Sequence, residues 1–150
     1  MTIDYIVSSL PTLSFDAPPQ ISQEAFDEMV GDSIAGILDD WKDIESQLRN
    51  AMALARGGEK WVRPVAGCSI YWRNRVAQCF QEKDVAKRDE LLDRVWWDAA
   101  GELTPPSSPL GKGALATYAV RLKIAQKRAA ISRTAGDSTF DRISKVDLKI

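Results

Sequence analysis

A chain of 150 residues is the size of one domain and long enough to bury a core without disulfides or a structural metal. Hydrophobic residues make up 45% and charged residues 27%, a globular balance rather than a disordered one. There is no histidine and there are two cysteines, which excludes Ser–His–Asp and Cys–His nucleophile systems, the commonest zinc ligand and an all-thiolate zinc site.

Residues 1–10 are apolar but carry Asp4 and no Lys or Arg, so they do not read as a signal peptide. No run approaches the roughly 18 apolar residues of a transmembrane helix. Tyr5, Ile6 and Val7 favour strand-like backbone, and Pro11, Pro18 and Pro19 forbid a helix. Residues 1–20 are therefore expected as an extended arm. Ser22 is a good N-cap and Glu24 suits the first turn, which predicts a short helix over 22–30 ending near Gly31.

The clearest periodicity follows. Ile34, Ile37, Leu38, Trp41, Ile44, Leu48, Met52 and Ala55 recur at steps of three and four and fall in one arc of about 120°. Asp32 or Ser33 caps this helix, and Gly57–Gly58 stops it. Glu45 lies inside the arc with Arg49 one turn later, the favourable order for an ion pair, and Asn50 completes a small polar network.

Residues 57–67, with Trp61, Pro64 and Gly67, read as a connection. A third helix is predicted over 69–81. A fourth is predicted over 85–103, with Leu91, Leu92, Val95, Trp96 and Ala99 facing inward. Carried on one helix, Cys68 and Cys79 would sit about 16 Å apart, too far for a disulfide. Both read as reduced, packed thiols of a cytosolic protein. Residues 104–113, TPPSSPLGKG, form a loop on composition. A fifth helix over 114–135 places Leu115, Tyr118, Leu122, Ala125 and Ala129 on one face, with Arg121, Lys123, Lys127 and Arg128 outside it. Gly136 is the expected stop, and Asp137 caps a last short helix carrying Phe140 and Ile143. The class is all-α: one domain, 1–150, a bundle of about five helices with an extended N-terminal arm.

The net charge of −1 hides an asymmetry. Residues 1–50 hold ten acids and two bases, a balance of −8, and residues 112–150 hold nine bases and three acids, a balance of +6. Such a chain neutralises itself in the fold or presents a charged face to a partner, and the first is the ordinary outcome. The carboxylates Asp39, Asp40 and Asp43, and Asp89, Glu90 and Asp93, read as solvated helix faces, because a helical di-metal site needs Glu-x-x-His. Gly57–Gly58 and Gly111-x-Gly113 lack the spacing and the Lys-Ser/Thr of a phosphate loop. Tyr71–Trp72–Arg73–Asn74–Arg75 mixes aromatics with bases and, with the basic last third, makes nucleic-acid binding the second reading. Five tryptophans read as core or interface anchors.

Three segments carry a family resemblance. Asp4-Tyr5-Ile6-Val7-Ser8-Ser9-Leu10-Pro11-Thr12-Leu13-Ser14-Phe15 resembles the Y-x-V-x-S-L-P-x-L-x-F opening of an uncharacterised bacterial family encoded in V-type (A/V-type) ATP synthase operons. Pro18-Pro19, Ile21-Ser22 and Phe26 continue that likeness. Trp41, Glu45, Leu48-Arg49-Asn50 and Arg56 look like its W-x-x-x-E-x-x-L-R-N helix. Asp93-Arg94-Val95-Trp96-Trp97, with Tyr118, Leu122 and Ile124, is similar to its last helix pair.

The resemblance implies a helical protein related to, or working beside, the C (d-type) stalk subunit of a rotary ATPase. On that reading the chain is no enzyme and takes no cofactor, metal or small-molecule substrate. It is cytoplasmic, binds V-type ATPase subunits, and meets a membrane only through the ATPase. The candidate structural or partner-facing residues are Leu10, Pro11, Leu13, Phe15, Trp41, Glu45, Arg49, Asn50, Trp72 and Trp96.

Overall fold

Thr2 is extended, and the chain then turns directly into α1 (Ile3–Ser9). The computed structural model describes residues 2–34, 36–57 and 69–147, with side chains described at 2–32, 36–57 and 69–133. A helix at α1 corrects the extended arm over residues 3–9. The β-branched Ile6 and Val7 that suggested a strand lie on a helical repeat: with Ile3 and Leu10 they recur at steps of three and four and pack into one hydrophobic cluster. Ser8 and Ser9 donate their hydroxyls to the carbonyls of Asp4 and Tyr5 at 2.8 and 2.7 Å, which suits a helical turn. Residues 10–22 contain no helix.

Ser22 caps α2 (Gln23–Val30) by accepting the Ala25 N–H at 3.1 Å, and Gly31 ends it at a positive φ of 50°. The next helix starts later than its periodicity suggests. Gly31–Ile34 is a 3-10 turn, Gly36 takes φ 74°, and α3 spans Asp39–Ala55. The left-handed glycine breaks the helical path, so Ile37 and Leu38 belong to a bend that reaches both hydrophobic clusters. Gly57 (φ 78°) ends α3; Gly58, Trp61, Pro64, Gly67 and Cys68 lie outside the described residues.

α4 (Ile70–Cys79) is capped by Ser69, whose side chain accepts the Trp72 N–H. The Ser69 N–H donates to Gln47 Oε1 at 3.2 Å, while the Arg56 guanidinium lies 5.4 Å from the Phe80 ring, so α3 and α4 run side by side in one direction. Asp84 caps α5 (Val85–Ala100) through the Ala86 and Lys87 N–H groups, and Gly101–Leu103 continues as a 3-10 turn. Leu92, Val95 and Ala99 are buried as expected, but Leu91 is 44% exposed and Trp97 (8%) is buried where Trp96 is only half-buried. α5 touches α3 and α4 on one side and α6 with Phe15 on the other, which rotates and widens its buried arc.

α6 spans Lys112–Asp147. Lys112 and Gly113 belong to the helix rather than to the loop, and Gly113 sits so close to Leu103 that a Cβ there would collide with the Leu103 carbonyl. The expected stop at Gly136 is absent: one glycine in a long helix costs about 1 kcal/mol relative to alanine and does not break it. The single apolar face read from the sequence is two faces. Ala116, Val120, Ile124 and Ala125 enter the larger cluster with α3, α4 and α5, whereas Leu115, Ala119 and Leu122 enter the smaller one with α1 and α2. α6 is thus the shared wall. The architecture is all-α, with six α-helices and no strand among the described residues, and no described helix is long and apolar enough to cross a membrane.

Candidate functional site

The segment Leu10-Pro11-Thr12-Leu13-Ser14-Phe15 crosses from the smaller cluster to the larger. Leu10, Pro11 and Leu13 are half-buried, and the Pro11 carbonyl accepts the Tyr118 hydroxyl at 2.5 Å. Phe26 stacks on the same tyrosine ring at 5.5 Å. Phe15, only 6% exposed, meets Trp97 edge-on at 5.7 Å and lies under the Arg94 guanidinium at 4.0 Å. The segment is docked by an aromatic hook, with a cation closing its outer side.

A four-residue charge cluster flanks that hook. Lys127 Nζ lies 2.8 Å from Asp93 and 3.3 Å from Asp89, and Arg128 Nη1 lies 3.1 and 3.2 Å from the same two carboxylates. This corrects the reading of Asp89 and Asp93 as a solvated face: Asp93 is 13% exposed and both acids tie α5 to α6. Glu90, between them, is exposed. Burial by itself would lower the Lys127 pKa, but the hydrogen bond and charge of Asp93, with Asp89 behind, outweigh it and hold the ammonium above its ordinary range.

The aromatic and basic stretch of α4 is also engaged. Trp72 is buried and donates Nε1–H to Glu102 at 2.7 Å. Arg75 pairs with Asp98 at 2.8 Å and lies over the Trp72 ring. Burial acts to lower its pKa, and the Asp98 bond and charge reverse this. Arg121 donates to the Trp97 carbonyl at 3.0 Å and covers the Trp97 ring; burial lowers its pKa, with Asp98 partly offsetting. Tyr71, Arg73 and Asn74 stay exposed. A stacking platform for bases would need Trp72 and Arg75 free, and carboxylates face both.

Trp41 is 7% exposed and belongs to the larger core; Trp96 packs against that core from its edge. Glu45 and Arg49 form an i,i+4 pair at 3.0 Å with side chains 32% and 63% exposed, so the pair is surface chemistry rather than a buried network. Asn50, next in sequence, is buried. Trp97, Asp98 and Tyr118 were not among the partner-facing candidates, yet they receive Phe15, Arg75 and Pro11 respectively. The i,i+4 spacing of Asp89 and Asp93 was the one local signal of a tie, and it does not say which bases meet them.

A cleft of about 800 Å³ opens between residues 15–24 and α5–α6. Among the described residues no group of three or more His, Cys, Asp or Glu is placed to hold a metal ion. Cys79 is buried, its thiol pKa raised by burial, and its Sγ–H donates to the Arg75 carbonyl at 3.3 Å. No protein-family model matches this chain, and searches of curated proteins and of solved structures find no match either.

Proposed function

We propose that this chain is a non-enzymatic, cytoplasmic component that works beside a V-type ATPase and acts by binding its subunits, as the resemblance implies. The observation that carries a protein partner over a nucleic acid is the pairing of Lys127 and Arg128 with Asp89 and Asp93. This adjacent pair of bases in the basic third is held by carboxylates of α5 rather than offered to phosphates. The acids of the first third stay outside: Asp4, Glu24, Asp27, Glu28, Asp32, Asp40 and Asp43 are all exposed. An acidic surface repels nucleic acid and steers a basic protein surface.

The test is binding of the purified chain to the soluble subunits of the V-type ATPase from the same organism, and to mixed RNA, each at low and high salt. A subunit complex that forms more slowly at high salt but persists is the expected result, because the Debye length falls from about 10 Å at 0.1 M to about 3 Å at 1 M. RNA binding that collapses by orders of magnitude over a modest salt rise, with no subunit contact, overturns the reading. ATP hydrolysis by the isolated chain rejects it as well.

A further inference from the structure

We propose that the cleft between residues 15–24 and α5–α6 receives a basic segment of a protein partner that carries an apolar side chain beside its Lys or Arg residues. This rests on the protein-binding reading above and names the surface that serves it.

The apolar side of the cleft is made by Phe15, Pro18, Pro19 and Ile21, with Ala129 contributed by α6. Its volume is that of an ordinary ligand site. The charges at its edge do not balance once internal pairs are set aside. Arg128 is engaged with Asp89 and Asp93, and Asp16 reaches Arg94 at 3.5 Å. Glu24 and Glu90 are exposed and have no ion-pair partner among the described residues, against Arg133 alone. Two unpaired carboxylates against one exposed guanidinium, beside a proline-lined wall, suit a cationic segment and disfavour an anion.

A fluorescent synthetic Leu–Lys repeat peptide and its Leu–Glu counterpart are the probes, with affinity read by anisotropy on the full chain. The Leu–Lys peptide binds and the Leu–Glu peptide does not. Glu24→Gln with Glu90→Gln weakens binding by about tenfold. Ser132→Trp, which fills the cleft from an exposed position on α6, abolishes it without lowering the melting temperature. Asp40→Asn with Asp43→Asn, acids of α3 outside the cleft, leaves affinity within about twofold, as expected for distant surface charges. Equal binding of both peptides overturns the inference, as does a loss from the α3 pair equal to that from the cleft pair. If the chain binds ATPase subunits and the cleft variants change nothing, the cleft inference fails and the function stands. If no subunit binds but the Leu–Lys peptide is lost in Ser132→Trp, the ATPase reading fails and the cleft stands.

Discussion

The hydrophobic clusters on the two faces of α6 are held in different ways. The larger gathers fully buried Leu48, Val76, Ala99 and Ala100 and is crossed by polar ties between helices, Arg75–Asp98, Trp72–Glu102 and the Asp89/Asp93–Lys127/Arg128 cluster. The smaller contains Ile6, Phe26, Val30, Leu115, Ala119 and Leu122, and its long-range side-chain hydrogen bond is Tyr118 to Pro11. Its helices α1 and α2 have 7 and 8 residues, too short to persist in water undocked. The larger cluster is therefore a framework that holds α6, and the N-terminal helices exist because they lie on the other face of α6. Phe15 ties the N-terminal segment across: it precedes α2 in the chain but is anchored in the larger core, while Leu13, Ile37 and Leu38 touch both clusters.

The sharpest way to break this contrast is within the framework. Leu48→Ala is expected to cost about 2–5 kcal/mol by cavity formation and to lower the melting of the whole chain in one transition. A loss under about 1 kcal/mol would show that the framework lies elsewhere.

Phe15→Ala sharpens the boundary between the two regions. The expected loss is about 3 kcal/mol, at the low end for a buried aromatic because residues 14–17 can relax. Hydrogen exchange should accelerate in α1 and α2 while α5 stays protected; uniform acceleration would mean that the clusters unfold as one unit.

Tyr118→Phe removes the bond to Pro11 and is expected to cost about 1 kcal/mol at neutral pH. Burial raises the Tyr118 pKa above its ordinary 10.0, so the unfolded chain loses this proton first. Its contribution is intact below pH 10.0 and is lost as pH rises through the folded value. Lys127 is also raised, so it too loses stabilisation at alkaline pH, but it is common to both proteins. Wild type should therefore lose more stability than Tyr118→Phe between neutral pH and about pH 11. Parallel curves would place the tyrosine hydroxyl in solvent.

Glu45→Ala should have the smallest effect, about 0.3–0.5 kcal/mol, because its pair with Arg49 is largely exposed. A loss above about 1 kcal/mol by chemical denaturation would restore the buried network that the apolar arc suggested.

Much of this organisation was readable in particular residues. Ser22 does cap a helix and Gly57 does end one, whereas α3 starts after Leu38 with no side-chain cap, in place of the start at Asp32 or Ser33. The steps from Trp41 to Met52 do define a core face. α1 was misread because Ile and Val at steps of three and four satisfy both a strand's composition and a helix's period. The inward arc of α5 wrongly takes in Leu91 and omits Trp97, because α5 is contacted by more than one neighbour and a single arc cannot anticipate both. The candidate site was legible as residue types but not as partners. Phe15 and Trp97 stand far apart in sequence and no local spacing links them.

The sequence by itself determined the all-α class, the cap at Ser22 and the uneven distribution of charge, because these depend on period, local hydrogen bonding and residue count. Tertiary structure decided that α6 carries two apolar faces, that Lys127 and Arg128 are turned toward Asp89 and Asp93, and that residues 15–24 leave a cleft against α6. Those features arise from which helix lies beside which. That choice is made by the sum of buried surface and long-range pairing over the whole chain, and no window of neighbouring residues contains it.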